Sequence, residues 1–317
     1  MMASVKKSVF KRILIIMAIL LAVHCTGSMV ATKLIYDSIF SRYAPEVQPV
    51  PEALQQMVGQ RETYFYDYED LTLAGYLYHS PSPRNTLVVL APGFHAGAED
   101  YLWQISALLD RGWSVFSFDP SGSCESSGES YIGFPQEILD LEATLDYLEE
   151  QNRFGYDRLA LLGHSRGGYA AAGVLGGEHR IDALVTVSGV NSAMEAIMGY
   201  STAAVGPLAY GNYGFLWLYQ AMLFGPELTS LSAHEPITES GVPTLVVHGT
   251  GDADFPMEKN SIYAHRQQIC TPAVEYLPWD QPGQNGHTDL LFDPEGGANE
   301  PLMDQISEFL ERSIPDA

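Results

Sequence analysis

Apolar and polar positions fall into blocks along this chain. A long apolar block, residues 13 to 35, follows the cationic residues Lys6, Lys7, Lys11 and Arg12. Residues 36 to 60, with Pro45, Pro49 and Pro51, read as a linker. Two β-rich runs come next, Glu62 to Tyr68 and Leu71 to His79. Short apolar runs then recur at Asn85 to Leu90, Ser114 to Phe118, Leu159 to Leu162, Ala183 to Val190, Pro243 to His248 and Ala273 to Trp279. Uninterrupted runs of this kind belong to strands buried on both faces. Helical stretches separate them, including Asp100 to Leu109 and Gln136 to Glu150. In the second, Ile138, Leu141, Leu145 and Leu148 share one face. Residues 257 to 268 read as another helix, and a last helix closes the chain. The alternation predicts an α/β fold, a mostly parallel sheet with helices on both faces. Residues 191 to 236 interrupt it with a stretch rich in Met, Tyr, Phe, Leu and Gly.

One motif sits where the pattern gives it a mechanical meaning. Gly163-His164-Ser165-Arg166-Gly167 is a G-x-S-x-G box between an apolar run and the small-residue stretch Gly168 to Leu175. Strand, sharp turn and helix are the context of a nucleophile elbow. Ser165 then projects from the tip, above a helix N-terminus that favours developing negative charge.

A serine hydroxyl is a weak nucleophile and needs a base, commonly a histidine oriented by a carboxylate. On such a fold the chain order is Ser, then Asp or Glu, then His. The run ending at His248 leads into a loop carrying Asp252 and Asp254. Beyond that loop only His265 and His287 remain. His265 falls in the expected helix 257 to 268 and reads as a solvated side chain. His287 follows the last strand-like run, in the loop Gly283-Gln284-Asn285-Gly286-His287. A loop at the strand ends suits a catalytic base, so His287 is assigned that role.

These boxes resemble those of the α/β-hydrolases, in the serine hydrolase branch that includes lysophospholipase-like and S33 aminopeptidase-like proteins. The resemblance runs from about Arg61 to Ile314. The family's G-H-S-x-G-G stands here as Gly163 to Gly168, and its terminal G-H as Gly286-His287. Its acid loop stands as Gly249 to Pro256, a match that implies Asp252 rather than Asp254. Its oxyanion turn stands as Pro92-Gly93-Phe94, implying backbone N–H donors at Phe94 and Arg166; Pro92 replaces a histidine, which leaves the backbone donor unaffected. A further glycine-rich loop stands as Asp119 to Gly128, with Cys124 in place of a glycine. The resemblance also implies that residues 191 to 236 form a helical cap, a lid giving an apolar acyl or aromatic pocket over residues 61 to 317.

Composition narrows the partners. The 317 residues are 46% hydrophobic and 17% charged, with a net charge of −23. The first 43 residues hold Lys6, Lys7, Lys11, Arg12, Lys33 and Arg42 against only Asp37, so the body is more acidic still. Such a body is repelled by phosphate backbones, and no nucleic-acid partner is expected. Three cysteines make no disulfide framework; Cys124 is expected to fill a tight loop. No zinc, phosphate-loop or dinucleotide motif occurs, and neither a metal nor a cofactor is expected.

Residues 1 to 12 form a basic N-terminus, and residues 13 to 35 read as a membrane anchor or a signal segment. As one helix they would span about 34 Å, enough for a bilayer. A clean cleavage motif is lacking, which favours an uncleaved anchor over a secreted form. Cationic residues before the span place the N-terminus in the cytoplasm and the hydrolase outside. A chain starting near Tyr43 is expected to be soluble and active, because every box lies beyond it. The expected activity is hydrolysis of carboxylic esters, with acylglycerols or lysolipids as candidate substrates. The alternatives are a peptidase of the same fold, for which Glu195, Glu227 or Glu235 would supply an amine-binding carboxylate, and a non-catalytic binding protein.

Overall fold

The apolar runs all enter one sheet. The computed structural model describes residues 2–45, 49–151 and 154–315. Among them the strands are β1 (Glu62–Tyr68), β2 (Leu71–Tyr78), β3 (Thr86–Ala91), β4 (Ser114–Asp119), β5 (Arg158–His164), β6 (Ala183–Val187), β7 (Thr244–Gly249) and β8 (Val274–Trp279). Their order across the sheet is β1-β2-β4-β3-β5-β6-β7-β8. β2 pairs antiparallel with β1 and β4. Every pairing from β4–β3 to β7–β8 is parallel.

The helices are α1 (Met2–Ile39), α2 (Glu52–Gln60), α3 (Leu102–Asp110), α4 (Gln136–Gln151), α5 (Arg166–Gly173), α6 (Ala193–Val205), α7 (Tyr213–Ser230), α8 (His234–Ser240) and α9 (Glu300–Ser313). They divide between the two faces, and the central strands feed both cores alternately. Leu87, Val89 and Ala91 of β3 join Leu161 of β5 in the core shared with α4 and α5. Val88 and Leu90 join Ala160 and Leu162 in the core shared with α3 and α9. A period of two, with both sides covered, explains why these strands read as unbroken apolar runs.

Helices α6, α7 and α8 lie between β6 and β7, where the alternation breaks. Helix α7 is two helical pieces joined at a kink. Gly225 there has φ 79° and ψ 160°, and Pro226 follows, lacking the N–H that a continuous helix requires.

Two expectations are corrected. Residues 36 to 60 are not a free linker. Helix α1 runs on to Ile39, and Tyr36 and Phe40 are buried in the same core as α4 and α5. Phe40 meets Phe94 at 5.3 Å and Phe134 at 5.9 Å between ring centroids. Tyr43 exchanges backbone hydrogen bonds with Gly122 and Cys124, each at 2.9 Å. Helix α2 follows within the same stretch and buries Leu54. A chain from Tyr43, expected from the sequence to be soluble and active, would lose these aromatic contacts. Residues 257 to 268 are the second correction. They form turns and a short 3-10 segment, Tyr263–His265, not a helix. Their backbone is engaged elsewhere: Ile262 N–H donates to Gly189 O at 3.0 Å, and Ser261 bridges Val190. Tertiary pairing overrides local propensity here.

Upstream of Tyr36, helix α1 presents Ile13 to Val23, Val30, Leu34 and Ile35 outward. Its Phe10–Ile39 part is 30 residues long, with a mean hydropathy of 2.4 in its most apolar window. That is long and apolar enough to cross a membrane, and a signal sequence shares the same length and composition.

Candidate active site

All the predicted site residues lie at one edge, where parallel strands end. Ser165 follows β5, the Pro92-Gly93-Phe94 turn follows β3, Asp252 follows β7 and His287 follows β8. Loops at the carboxyl ends of parallel strands form the usual crevice of such sheets.

Ser165 has φ 55° and ψ −117°, an unfavourable conformation for a residue with a side chain. The surroundings enforce it. Ser165 N–H donates to Val187 O at 2.9 Å, and its carbonyl accepts from Gly168 N–H at 3.0 Å. A Cβ on Gly163 would overlap the Gly167 carbonyl, and one on Gly167 would overlap that of Ala91. Only glycine lets strand and helix close the turn so tightly. The strain holds the hydroxyl at the tip of the elbow.

Ser165 Oγ lies 2.8 Å from His287 Nε2, and His287 Nδ1 lies 2.7 Å from Asp252 Oδ2. Asp252 Oδ1 accepts from the N–H groups of Asp254 at 3.0 Å and Phe255 at 2.8 Å. His248 Nε2 stands 3.1 Å from Oδ2 and donates to Phe255 O at 2.9 Å. Burial alone would raise the Asp252 carboxyl. Hydrogen bonds from His248 and His287 outweigh it and hold the group well below the usual carboxylate range. Asp254 is exposed and takes part only through its backbone. Arg166 opens α5, so its N–H has no helical acceptor four residues back. A cleft of about 240 Å³ beside Ser165 is lined by Phe94, His95, Tyr101, His287, Leu291 and Phe292.

Residues 86–211 match a family model described as the alpha/beta hydrolase fold. Comparison with curated proteins gives no match. Among solved structures, an esterase of Pyrococcus furiosus superposes with a TM-score of 0.63 at 21% identity, covering 85% of this chain and 98% of its own. Est1E of Butyrivibrio proteoclasticus, solved with ferulic acid bound, gives a TM-score of 0.61 at 17% identity, covering 79% and 99%. An Exiguobacterium antarcticum esterase gives 0.55 at 16%, covering 79% and 100%.

The chain is an α/β-hydrolase by fold.

Behind the crevice of this α/β-hydrolase fold lies a buried network that no sequence pattern pointed to. Gly93 N–H donates to the Tyr101 hydroxyl at 2.8 Å. That hydroxyl lies 2.8 Å from His164 Nδ1, and His164 Nε2 lies 3.0 Å from the His287 carbonyl. A carbonyl only accepts, so the His164 proton sits on Nε2 and Tyr101 O–H donates to Nδ1. Burial, with His287 close by, lowers the His164 pKa to about 3, which keeps the ring neutral and this tautomer fixed. The chain of bonds ties the Pro92-Gly93-Phe94 turn, the elbow and the His287 loop together. Tyr101→Phe leaves Gly93 N–H and His164 Nδ1 unpaired in the interior. A loss of about 1–3 kcal/mol in stability is expected, with kcat lowered several-fold. Thermal unfolding and ester turnover check this, and unchanged values in both would show that the hydroxyl positions nothing.

Three neighbours refine the expectations. The Arg166 side chain is sealed from solvent, paired with buried Glu137, with its guanidinium 4.5 Å from the Tyr131 ring centroid. His265 is not a solvated helix residue. It faces Glu195 of the cap at 3.4 Å and stacks on His234. Cys124 has φ 41°, a value suited to glycine, and burial pushes its thiol up to about 12. It is therefore no ready nucleophile at neutral pH.

Proposed function

We propose that this chain is a serine hydrolase of carboxylic esters, anchored to a membrane by α1. The observation that carries the reading is the unbroken relay from Ser165 Oγ through His287 to Asp252, at 2.8 and 2.7 Å, on a strained elbow. His287 Nε2 takes the Ser165 proton as Oγ attacks the ester carbonyl carbon. The carbonyl π pair moves onto oxygen, which the N–H groups of Phe94 and Arg166 stabilise. One such donor contributes about 3 kcal/mol at the transition state. Asp252 holds the Nδ1–H tautomer and stabilises the imidazolium. His287 then gives its proton to the leaving alkoxide as the C–O bond breaks, leaving an acyl-enzyme. Water, deprotonated by His287, attacks that acyl carbon and restores Ser165.

The esterase neighbours support an ester substrate by analogy of fold. The small cleft beside Ser165 suits a short acyl group or a slim chain, and a membrane location suits lysophospholipase-like chemistry on acylglycerols or lysolipids. One observation favours the second reading, an aminopeptidase-like enzyme. Glu195 lines a cap cavity of about 360 Å³ with Tyr210, Tyr213 and Trp217. Its Oε2 is buried without a hydrogen-bond partner in the protein, and in this second reading it receives the substrate amine. A turnover panel of p-nitrophenyl esters against aminoacyl p-nitroanilides separates the two. The ester reading expects turnover of the esters and little of the anilides. Preference for the anilides, abolished by Glu195→Gln, would replace it with the peptidase.

A further inference from the structure

Residues 196–226 contain no Asp, Glu, Lys or Arg, in a chain that is 17% charged with a net charge of −23. The stretch is nevertheless at the surface. It spans most of α6, the 3-10 segment Gly206–Asn212 and much of α7. Leu208 is 83% exposed, Met222 69% and Tyr210 64%, with Val205, Leu218 and Leu223 beside them in sequence. Apolar exposure on this scale marks an interaction surface.

The same stretch packs against α1, whose residues 13–32 also lack those four residue types. Tyr219 O–H donates to Asp37 at 2.7 Å, and Lys33 holds that carboxylate at 2.5 Å. Asn212 Nδ2 donates to Thr32 Oγ1 at 2.8 Å. Further down, the Phe215 ring meets His24 edge-on at 6.1 Å between centroids. His24 lies about 13 Å below Lys33 along the helix, at about 1.5 Å per residue. With Lys33 at the headgroups of a hydrocarbon core about 30 Å thick, His24 is near its midplane. Phe215, packed at that level, cannot then stand in water above the membrane.

We infer that the cap from Val205 to Phe215 is immersed in the outer leaflet of a phospholipid bilayer, its exposed apolar side chains among the acyl chains, while α7 rises from there to the headgroup level at Tyr219 and Asp37. This rests on reading α1 as the anchor. Helical backbone satisfies its own hydrogen bonds, so these elements can enter lipid. The acidic body is repelled by anionic headgroups, and the neutral cap avoids that repulsion. The cap cavity lined by Tyr210, Tyr213 and Trp217 then lies at leaflet level, where esters dissolved in lipid are concentrated.

The test uses the full chain in phosphatidylcholine–phosphatidylglycerol vesicles, with Cys25, Cys124 and Cys270 replaced by serine. Nitroxide labels are attached singly through Leu208→Cys, Gly214→Cys, Leu20→Cys on α1 and Asp304→Cys on the body; Gly214 is exposed beside Phe215, with open space at its Cβ position. Collision with oxygen and with a water-soluble nickel chelate reports depth. The expected result is that Leu208 and Gly214 sites match Leu20, shielded from nickel, while the Asp304 site is open to it. Nickel access at Leu208 and Gly214, with Leu20 still shielded, overturns the immersed cap and leaves the anchor standing. Nickel access at Leu20 as well means that the anchor reading itself fails. Spin–spin broadening at Leu208 or Gly214 that scales with protein density overturns the proposal in favour of a second copy covering the face.

Discussion

Ser165→Ala and His287→Ala are each expected to lower kcat on an ester substrate by about 10⁶-fold, and the double variant by no more than either alone. The two side chains share one proton at 2.8 Å, so removing either removes the whole nucleophile. Asp252→Asn keeps the shape but presents an amide where His287 needs an acceptor. The wrong tautomer results, with a loss of about 10⁴-fold. Asp254→Asn is expected to cost less than about tenfold. Its carboxylate is exposed, and its one contribution to the relay, an N–H to Asp252 Oδ1 at 3.0 Å, belongs to the backbone. Initial rates of the four single variants and the double variant check the assignment. A severe Asp254 effect beside a mild Asp252 effect would move the acid to the other carboxylate.

Shortening the chain to Tyr43 is the second large effect. Tyr36 and Phe40 are 2% and 1% exposed, and Phe40 packs on Phe94, the residue whose N–H we propose as an oxyanion donor. A single buried Phe→Ala typically costs about 3–5 kcal/mol, against a total stability of about 5–15 kcal/mol. Losing both aromatics and opening the wall behind Phe94 is expected to leave a chain that is insoluble or inactive. A chain beginning at Lys33 keeps them and is expected to retain turnover. Phe40→Ala in the full chain should fall between the two. Equal unfolding temperatures and turnover for chains starting at Lys33 and Tyr43 would show that this aromatic contact is dispensable.

The fold was legible where burial on both faces wrote itself into the chain. Strands β3, β5, β6 and β7 are mostly apolar because two cores claim alternate side chains, and β4 follows with Val115, Phe116 and Phe118. The relay was legible for a related reason: tight turns restrict residue choice, and Gly163 and Gly167 mark the elbow by what a side chain there would strike. What stayed hidden depends on pairing between distant segments. Tyr36 and Phe40 continue the apolar character of α1, and hydropathy cannot separate an aromatic facing lipid from one facing Phe94. Residues 257 to 268 carry helical propensity, yet Ser261 and Ile262 pair with Gly189 and Val190 after β6. The Tyr101–His164 bond joins the segment after β3 to the end of β5, and no spacing along the chain records it. His248 ends an apolar strand and read as part of it, although it stands against Asp252.

The account's central claim is that Ser165 is the nucleophile. Treating the full chain with a fluorophosphonate probe and mapping the adduct by peptide mass spectrometry tests it most directly. The expected result is one adduct, on Ser165, absent in Ser165→Ala and slowed strongly in His287→Ala. An adduct on Ser121, Ser123 or another serine, or labelling that survives Ser165→Ala, would contradict it.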